Sequence, residues 1–247
     1  MVDLIKTGIE GLDAILYGGI PDGNQIILAG GPGAGKTLLS FEFLYRNAKM
    51  GNPGVFFALE ENAKAIIENA KSAFKTFTDI DDLIADGKLI INSEDPTSHL
   101  QQSSDSSSYE FGKVVSDIEG IVSSSKATRV VIDSLSLLDI LINDPMAYRR
   151  SMLALITNLK RMGVTSILTS ELSTPEKSKL EFRPEFFIFD GIILMYQIGE
   201  QDKRSLDIEV IKMRGNNHSF VTTPYEITPK GFKLFAAEAP KSYENLY

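Results

Sequence analysis

Eight consecutive residues constrain this chain more than any others. Gly30, Gly31, Pro32, Gly33, Ala34, Gly35, Lys36 and Thr37 fit G-x-x-x-x-G-K-[ST]. They follow the apolar run QIILAG at 25–30 and open a helical pattern over 36–50. Glycines let successive backbone N–H groups turn toward one anion with no Cβ in the way. The start of the following helix adds the positive end of its dipole. In such a loop the lysine reaches the β- and γ-phosphates and the hydroxyl ligates Mg²⁺. A plain glycine turn would need none of this context. The expected phosphate contacts are Gly31, Pro32, Gly33, Ala34, Gly35, Lys36, Thr37 and Leu38, with Lys36 also catalytic and Thr37 a metal ligand.

The rest of the sequence supplies the frame that such a loop needs. Apolar runs at 25–30, 55–60, 88–92, 129–133, 164–170, 191–197 and 206–213 alternate with helical patterns at 36–50, 62–74, 109–125 and 144–162. Several runs are nearly continuous in Val, Ile and Leu, as in strands buried on both faces of a parallel sheet. The predicted fold is α/β: a mostly parallel sheet flanked by helices. After Gly191 the helical patterns stop and short strands with Gly and Pro turns follow, which predicts a C-terminal β-hairpin extension at one sheet edge. Residues 1–235 read as one domain and 236–247 as a polar tail. The stretch 98–108 has six serines in eleven residues and reads as a surface loop.

Two further strand ends bear acids. RVVID at 129–133 ends in Asp133, a position from which a carboxylate holds Mg²⁺ through its water shell; Asp133-Ser134 also fits a helix cap or turn. VFFALE at 55–60 ends in Glu60, followed by Glu61. Ligands of open α/β sheets lie at the C-terminal ends of the strands. Glu60 is therefore the candidate general base, with Glu61 assisting; the alternative is that both favour the start of the next helix. Ser170, at the end of the run 164–170, is a weaker candidate for sensing the γ-phosphate, since hydroxyls there also form turns.

Composition removes several classes. The chain has 247 residues, no cysteine and two histidines, His99 and His218. Disulfides, thiol catalysis and Cys-based zinc sites are excluded, and a His-rich metal site is unsupported. No apolar run approaches a membrane span, and no signal-peptide core is seen, so a cytoplasmic location is expected. The formal net charge of −8 argues against generic coating of duplex DNA.

TGIEGLD at 7–13, GGIP at 18–21, the phosphate loop, PGVFF at 53–57, Glu60-Glu61 and KMRG at 212–215 appear in that order. The combination resembles a single-domain member of the KaiC-like ATPases of the RecA superfamily, over about residues 3–235. The resemblance implies a RecA-like core, ATP and Mg²⁺ as cofactors, and a homo-oligomeric ring, hexameric in many members, with nucleotide at the subunit interfaces. It also supports Glu60 and Glu61 as the catalytic pair. Lys212 and Arg214 lie two apart on a strand and so leave the same face. With His218 in the turn that follows, they suit a neighbour's γ-phosphate, in the manner of an arginine finger supplied in trans. The resemblance implies that role; without it, an exposed basic strand or an ion pair to Asp207 or Glu209 is the default.

The sequence departs from the family's two-domain clock protein at one place. Where that protein phosphorylates itself on a Ser/Thr pair, this chain has Phe186 and Phe187. Hydrolysis to ADP without a stable phosphoprotein is expected. In 173–189, Lys177, Lys179 and Arg183 are matched by Glu176, Glu181 and Glu185. Nucleic acid is therefore less favoured than an unidentified protein partner. The competing readings are a RecA/RadA-like DNA-binding recombination accessory and an ATP-binding scaffold with little turnover.

Overall fold

The computed structural model describes residues 2–93, 107–142, 144–172, 184–198 and 205–236. Most of the serine-rich stretch, all of 173–183 and nearly all of the tail lie outside them.

Ile26 and Leu28 belong to one buried apolar cluster, while Ile27 and Ala29 belong to another. The strand that holds them, β3 (Gln25–Gly30), is thus buried on both faces, which is why its sequence is continuously apolar. The same alternation divides Phe56 from Val55 and Phe57, and Val131 from Val130 and Ile132. Fully burying each such side chain contributes about 1.5–3 kcal/mol.

The chain begins with β1 (Leu4–Ile5), α1 (Leu12–Ile15) and β2 (Ile20–Pro21), then β3 and α2 (Lys36–Lys49). Next come β4 (Gly54–Ala58), α3 (Ala63–Ala73), α4 (Ile80–Ala85), β5 (Leu89–Asn92) and α5 (Ser107–Ser125). Then follow β6 (Arg129–Asp133), α6 (Leu135–Leu141), α7 (Pro145–Arg161), β7 (Thr165–Glu171) and a 3₁₀ turn (Pro184–Ile188). The last strands are β8 (Gly191–Ile198), β9 (Ser205–Met213), β10 (Thr223–Thr228) and β11 (Gly231–Leu234). Nine strands form one sheet in the order β11-β10-β9-β8-β3-β7-β6-β4-β5. From β8 to β5 all neighbours are parallel; β9, β10 and β11 continue the sheet antiparallel. Helices α2, α3 and α4 pack on one face and α5, α6 and α7 on the other. This is the expected α/β architecture with its C-terminal hairpin.

Three differences from the sequence reading matter. The strand expected over 55–60 ends at Ala58, so Glu60 stands two residues beyond it in a bend. Helix α6 was not expected; Ser134 caps it by accepting from the Ser136 N–H, and Leu135 and Leu138 face the core. The TGIEGLD segment closes on itself, because Asp13 accepts from the Thr7 N–H and hydroxyl, both at 2.8 Å, and from the Gly8 N–H at 3.3 Å. The closed segment ties the N-terminal turn to the sheet edge, where Glu10 bridges to Lys233.

Candidate active site

The phosphate loop is shaped by the strands beneath it. A Cβ at Gly30 would lie 2.7 Å from the Met195 carbonyl oxygen, so β8 can approach β3 closely only at a glycine. Gly33 and Gly35 have φ of 77° and 90°, in the left-handed region that favours glycine. Pro32 and Gly33 form the exposed crest, Ala34 is buried, and Gly35 is the N-cap of α2 without a side-chain cap. The first N–H groups of α2, those of Lys36, Thr37 and half-buried Leu38, therefore begin the helix with the donors an anion requires.

The C-terminal hairpin buttresses the loop from behind. The Tyr225 hydroxyl donates to the Ala34 carbonyl at 2.5 Å. A Cβ at Gly35 would meet Ile227 at 2.9 Å and Phe232 at 3.0 Å. Further along α2, the buried Glu42 carboxylate accepts from the Phe232 N–H at 2.7 Å and from Arg46 at 2.6 Å, while Arg46 also donates to the Lys230 carbonyl at 2.9 Å. Burial pushes the Glu42 carboxyl up. At the crest, Gln197 donates to the Pro32 carbonyl at 3.1 Å. The contacts of Gln197, Tyr225 and Phe232 were invisible in sequence, since each is remote along the chain. The only sequence signal was that their strands form the edge hairpin.

Four of the expected site residues converge here. Thr37 Oγ1 donates to Asp133 Oδ2 at 2.8 Å, across 96 residues of chain. Thr169 donates to the other oxygen, Oδ1. Lys36 Nζ donates to the Gly30 and Gly31 carbonyls at 3.0 and 3.1 Å. Burial holds the Lys36 ammonium below the ordinary lysine range, and the Glu171, Asp133 and Glu60 carboxylates oppose that shift. Glu60 accepts from the Ser134 hydroxyl. Asp133 and Ser134 thus divide the two roles open to them: Asp133 faces Thr37 and Ser134 caps α6. The peptide bond joining them is cis. Glu61 points elsewhere, accepting from Asn69 of α3 at 3.2 Å. Ser170 is buried beside Ala29 in the β3–β7 register, while its neighbour Thr169 makes the contact to Asp133.

The donor set suits Mg²⁺. That ion takes one or two carboxylates with a hydroxyl, waters and substrate phosphates rather than an all-protein cage. Thr37 and Asp133 supply such a pair, and among the described residues no group of three or more His, Cys, Asp or Glu could hold a metal alone.

Lys212 and Arg214 lie at the other end of the sheet. Gly191 pairs with both Ile26 and Met213, whereas Gly30 pairs with Met195. Four residues of strand, or about 13 Å, separate the two levels. Ile211 is the extra residue of a bulge between the Ile192–Lys212 and Ile193–Val210 pairs. Beyond that bulge both cations meet one segment. Lys212 donates to the Phe187 and Phe189 carbonyls at 3.3 and 2.5 Å, and Arg214 to the Phe187 carbonyl at 3.4 Å and to Asp190 at 3.5 Å. The acid that Arg214 meets is Asp190, not Asp207 or Glu209. Burial and the Arg214 charge hold Lys212 below the ordinary lysine range. His218 is buried, and its Nδ1 donates to the Ser219 carbonyl at 3.0 Å. Lys212 and Arg214 are thus remote from their own chain's phosphate loop.

Known proteins resemble this chain over nearly its whole length. A family model described as "ATPase: KaiC" matches residues 5–239. A protein described as UPF0273 from Thermotoga maritima is 35% identical over 251 residues, covering 96% of this chain and 98% of that one. The circadian clock oscillator protein KaiC 1 of a Synechocystis strain is 33% identical over 235 residues, 95% of this chain but 44% of its own. This chain thus spans less than half the length of the clock proteins it matches. The crystal structure of a KaiC-like protein from Pyrococcus horikoshii superposes with a TM-score of 0.80 at 30% identity, covering 96% of this chain and all of that one.

Proposed function

Because the chain belongs to the KaiC family of ATPases, we propose that it is a Mg²⁺-dependent ATPase whose site is completed between subunits of a hexameric ring, and that its nucleotide state regulates a protein partner. The observation that supports this reading best is the division of charge along the sheet. One end carries Lys36, Thr37, Asp133 and Glu60 around the phosphate loop. The other carries Lys212 and Arg214, which the strand register keeps away from that loop. Cations so placed serve a nucleotide only if it belongs to another copy, which is the geometry of a closed head-to-tail ring.

In this reading the loop N–H groups and Lys36 bind the phosphates of ATP, and Thr37 with Asp133 holds Mg²⁺. The ion, when bound, neutralises charge that develops on the phosphoryl oxygens. Glu60 orients and deprotonates water, with the Ser134 hydroxyl fixing its carboxylate. Thr169 restricts the rotamer of Asp133. The neighbour's Lys212 and Arg214 stabilise the departing charge. Glu61, bonded to Asn69, assists only through its charge.

Phosphate release by Glu60→Gln and Glu61→Gln tests the assignment. Loss of the base is expected to slow turnover by about 10²-fold for Glu60 and by less than about threefold for Glu61. Equal rates for wild type and Glu60→Gln would remove Glu60 from the mechanism.

A further inference from the structure

Asp190 is a carboxylate with a 6% exposed side chain at the far end of the sheet, and it meets more of the structure than the sequence suggested. Its Oδ2 accepts from the Gln25 N–H at 3.0 Å. Its Oδ1 accepts from Lys160 at 2.7 Å and lies 3.5 Å from Arg214. Its backbone N–H donates to the Gln25 carbonyl, and its own carbonyl accepts from the Arg214 N–H, both at 2.9 Å. One residue thereby joins the start of β3, the last turn of α7 and the end of β9.

The two cations on Asp190 are not equivalent. Lys160 is at full charge-assisted distance, with its side chain 41% exposed. Arg214 is 3.5 Å away and 55% exposed, well beyond the 2.7–2.9 Å typical of such bonds. A buried carboxylate stripped of every partner is strongly destabilising. Here Arg214 can leave without that cost, because Lys160 and the Gln25 N–H stay. Lys212 also stays in place, on the carbonyls of Phe187 and Phe189.

We infer that Asp190 is a positioning residue for the cations that meet a neighbour's nucleotide, and that Lys160 is its standing counter-ion, leaving the Arg214 guanidinium free to exchange Asp190 for phosphate. The inference rests on the trans reading proposed above. In it, Asp190 sets where Arg214 waits, and Lys160 sets how readily Arg214 departs. Without Lys160, Arg214 becomes the one cation on Asp190 among the described residues, and its transfer to phosphate is opposed.

The test is a double-mutant cycle on the full chain, using steady-state hydrolysis at saturating Mg²⁺-ATP. Lys160→Met is expected to lower kcat about fivefold, the size of one partly exposed ion pair. Lys160→Arg should restore it. In an Arg214→Ala background, Lys160→Met should change nothing further, because the guanidinium it releases is gone. Light scattering of ATP-driven assembly gives the same cycle without turnover: Lys160→Met should raise the ATP concentration for half-assembly, and Lys160→Arg should not. Lys160→Gln replaces Lys160→Met if the latter unfolds. Equal falls in both backgrounds would mean a merely structural role and overturn the inference. So would wild-type behaviour of Lys160→Met when Arg214→Ala is impaired, with the trans reading left intact. Wild-type behaviour of Arg214→Ala would instead remove the trans reading, and this inference with it.

Discussion

The two ends of the central sheet treat their charged groups differently. At the phosphate-loop end the groups are mutually satisfied within one chain: Thr37 on Asp133, Thr169 on the same carboxylate, Lys36 on loop carbonyls and Glu60 on Ser134. At the far end Lys160, Lys212 and Arg214 gather around Asp190, and Lys212 settles for carbonyls. Under the proposed function the first arrangement is preorganised for the phosphates and metal that enter from solvent. The second sets Lys160 and Arg214 on one carboxylate and Lys212 on nearby carbonyls, with its own chain's phosphate loop out of reach. Under the proposed function the site is divided in this way and turnover depends on assembly, whereas for a site complete in one chain it would not.

Breaking each end in turn sharpens the contrast. Lys36→Ala should have the largest effect, lowering turnover by more than about 10³-fold and abolishing tight Mg²⁺-ATP binding. Binding of a fluorescent ATP analogue checks this, and the defect should be the same at every protein concentration. The hairpin that supports the loop should matter next. Phe232 is buried against Gly35 and Phe74, and Phe232→Ala is expected to cost about 3–5 kcal/mol in urea unfolding and to weaken nucleotide binding as the loop loses its backing. Tyr225→Phe removes only the hydroxyl on the Ala34 carbonyl and should cost about 1 kcal/mol. A Phe232→Ala protein as stable as wild type would show that the loop does not lean on the hairpin.

How far the sequence foretold this depends on what each feature needs. Strands such as Arg129–Asp133 were legible to the residue, because burial on both faces forces a continuous apolar run. The phosphate loop was legible because its glycines, lysine and threonine are local in sequence and so is their geometry. Helix α6 was not foreseen: LSLLDIL is only seven residues long and directly follows a strand end. Its signal was Ser134 with apolar residues one and four positions later. Glu60 was read as the strand's last residue, but Leu59 already leaves the strand, its N–H bonding to the Asp133 carbonyl at 2.7 Å. Thr169 faces Asp133, a contact the sequence did not suggest, while Ser170 next to it points to the opposite face of the sheet, as neighbouring strand residues do. The partners of Arg214, Asp190 and the Phe187 carbonyl, were beyond sequence reasoning altogether, since the register of β8 and β9 brings them to it and the packing of α7 adds Lys160 to Asp190.

The central claim is that one chain's phosphate loop works with another chain's Arg214. It is tested most directly by mixing Lys36→Ala, which is inactive, with Arg214→Ala, which is strongly impaired, under conditions that let subunits exchange. Each variant keeps the half that the other lacks. With random mixing in a head-to-tail ring, about a quarter of interfaces join an intact loop to an intact Arg214, so turnover should recover to about a quarter of the wild-type rate. Mixed rings that form, as seen by native mass, and yet stay as inactive as the separate variants would contradict the claim.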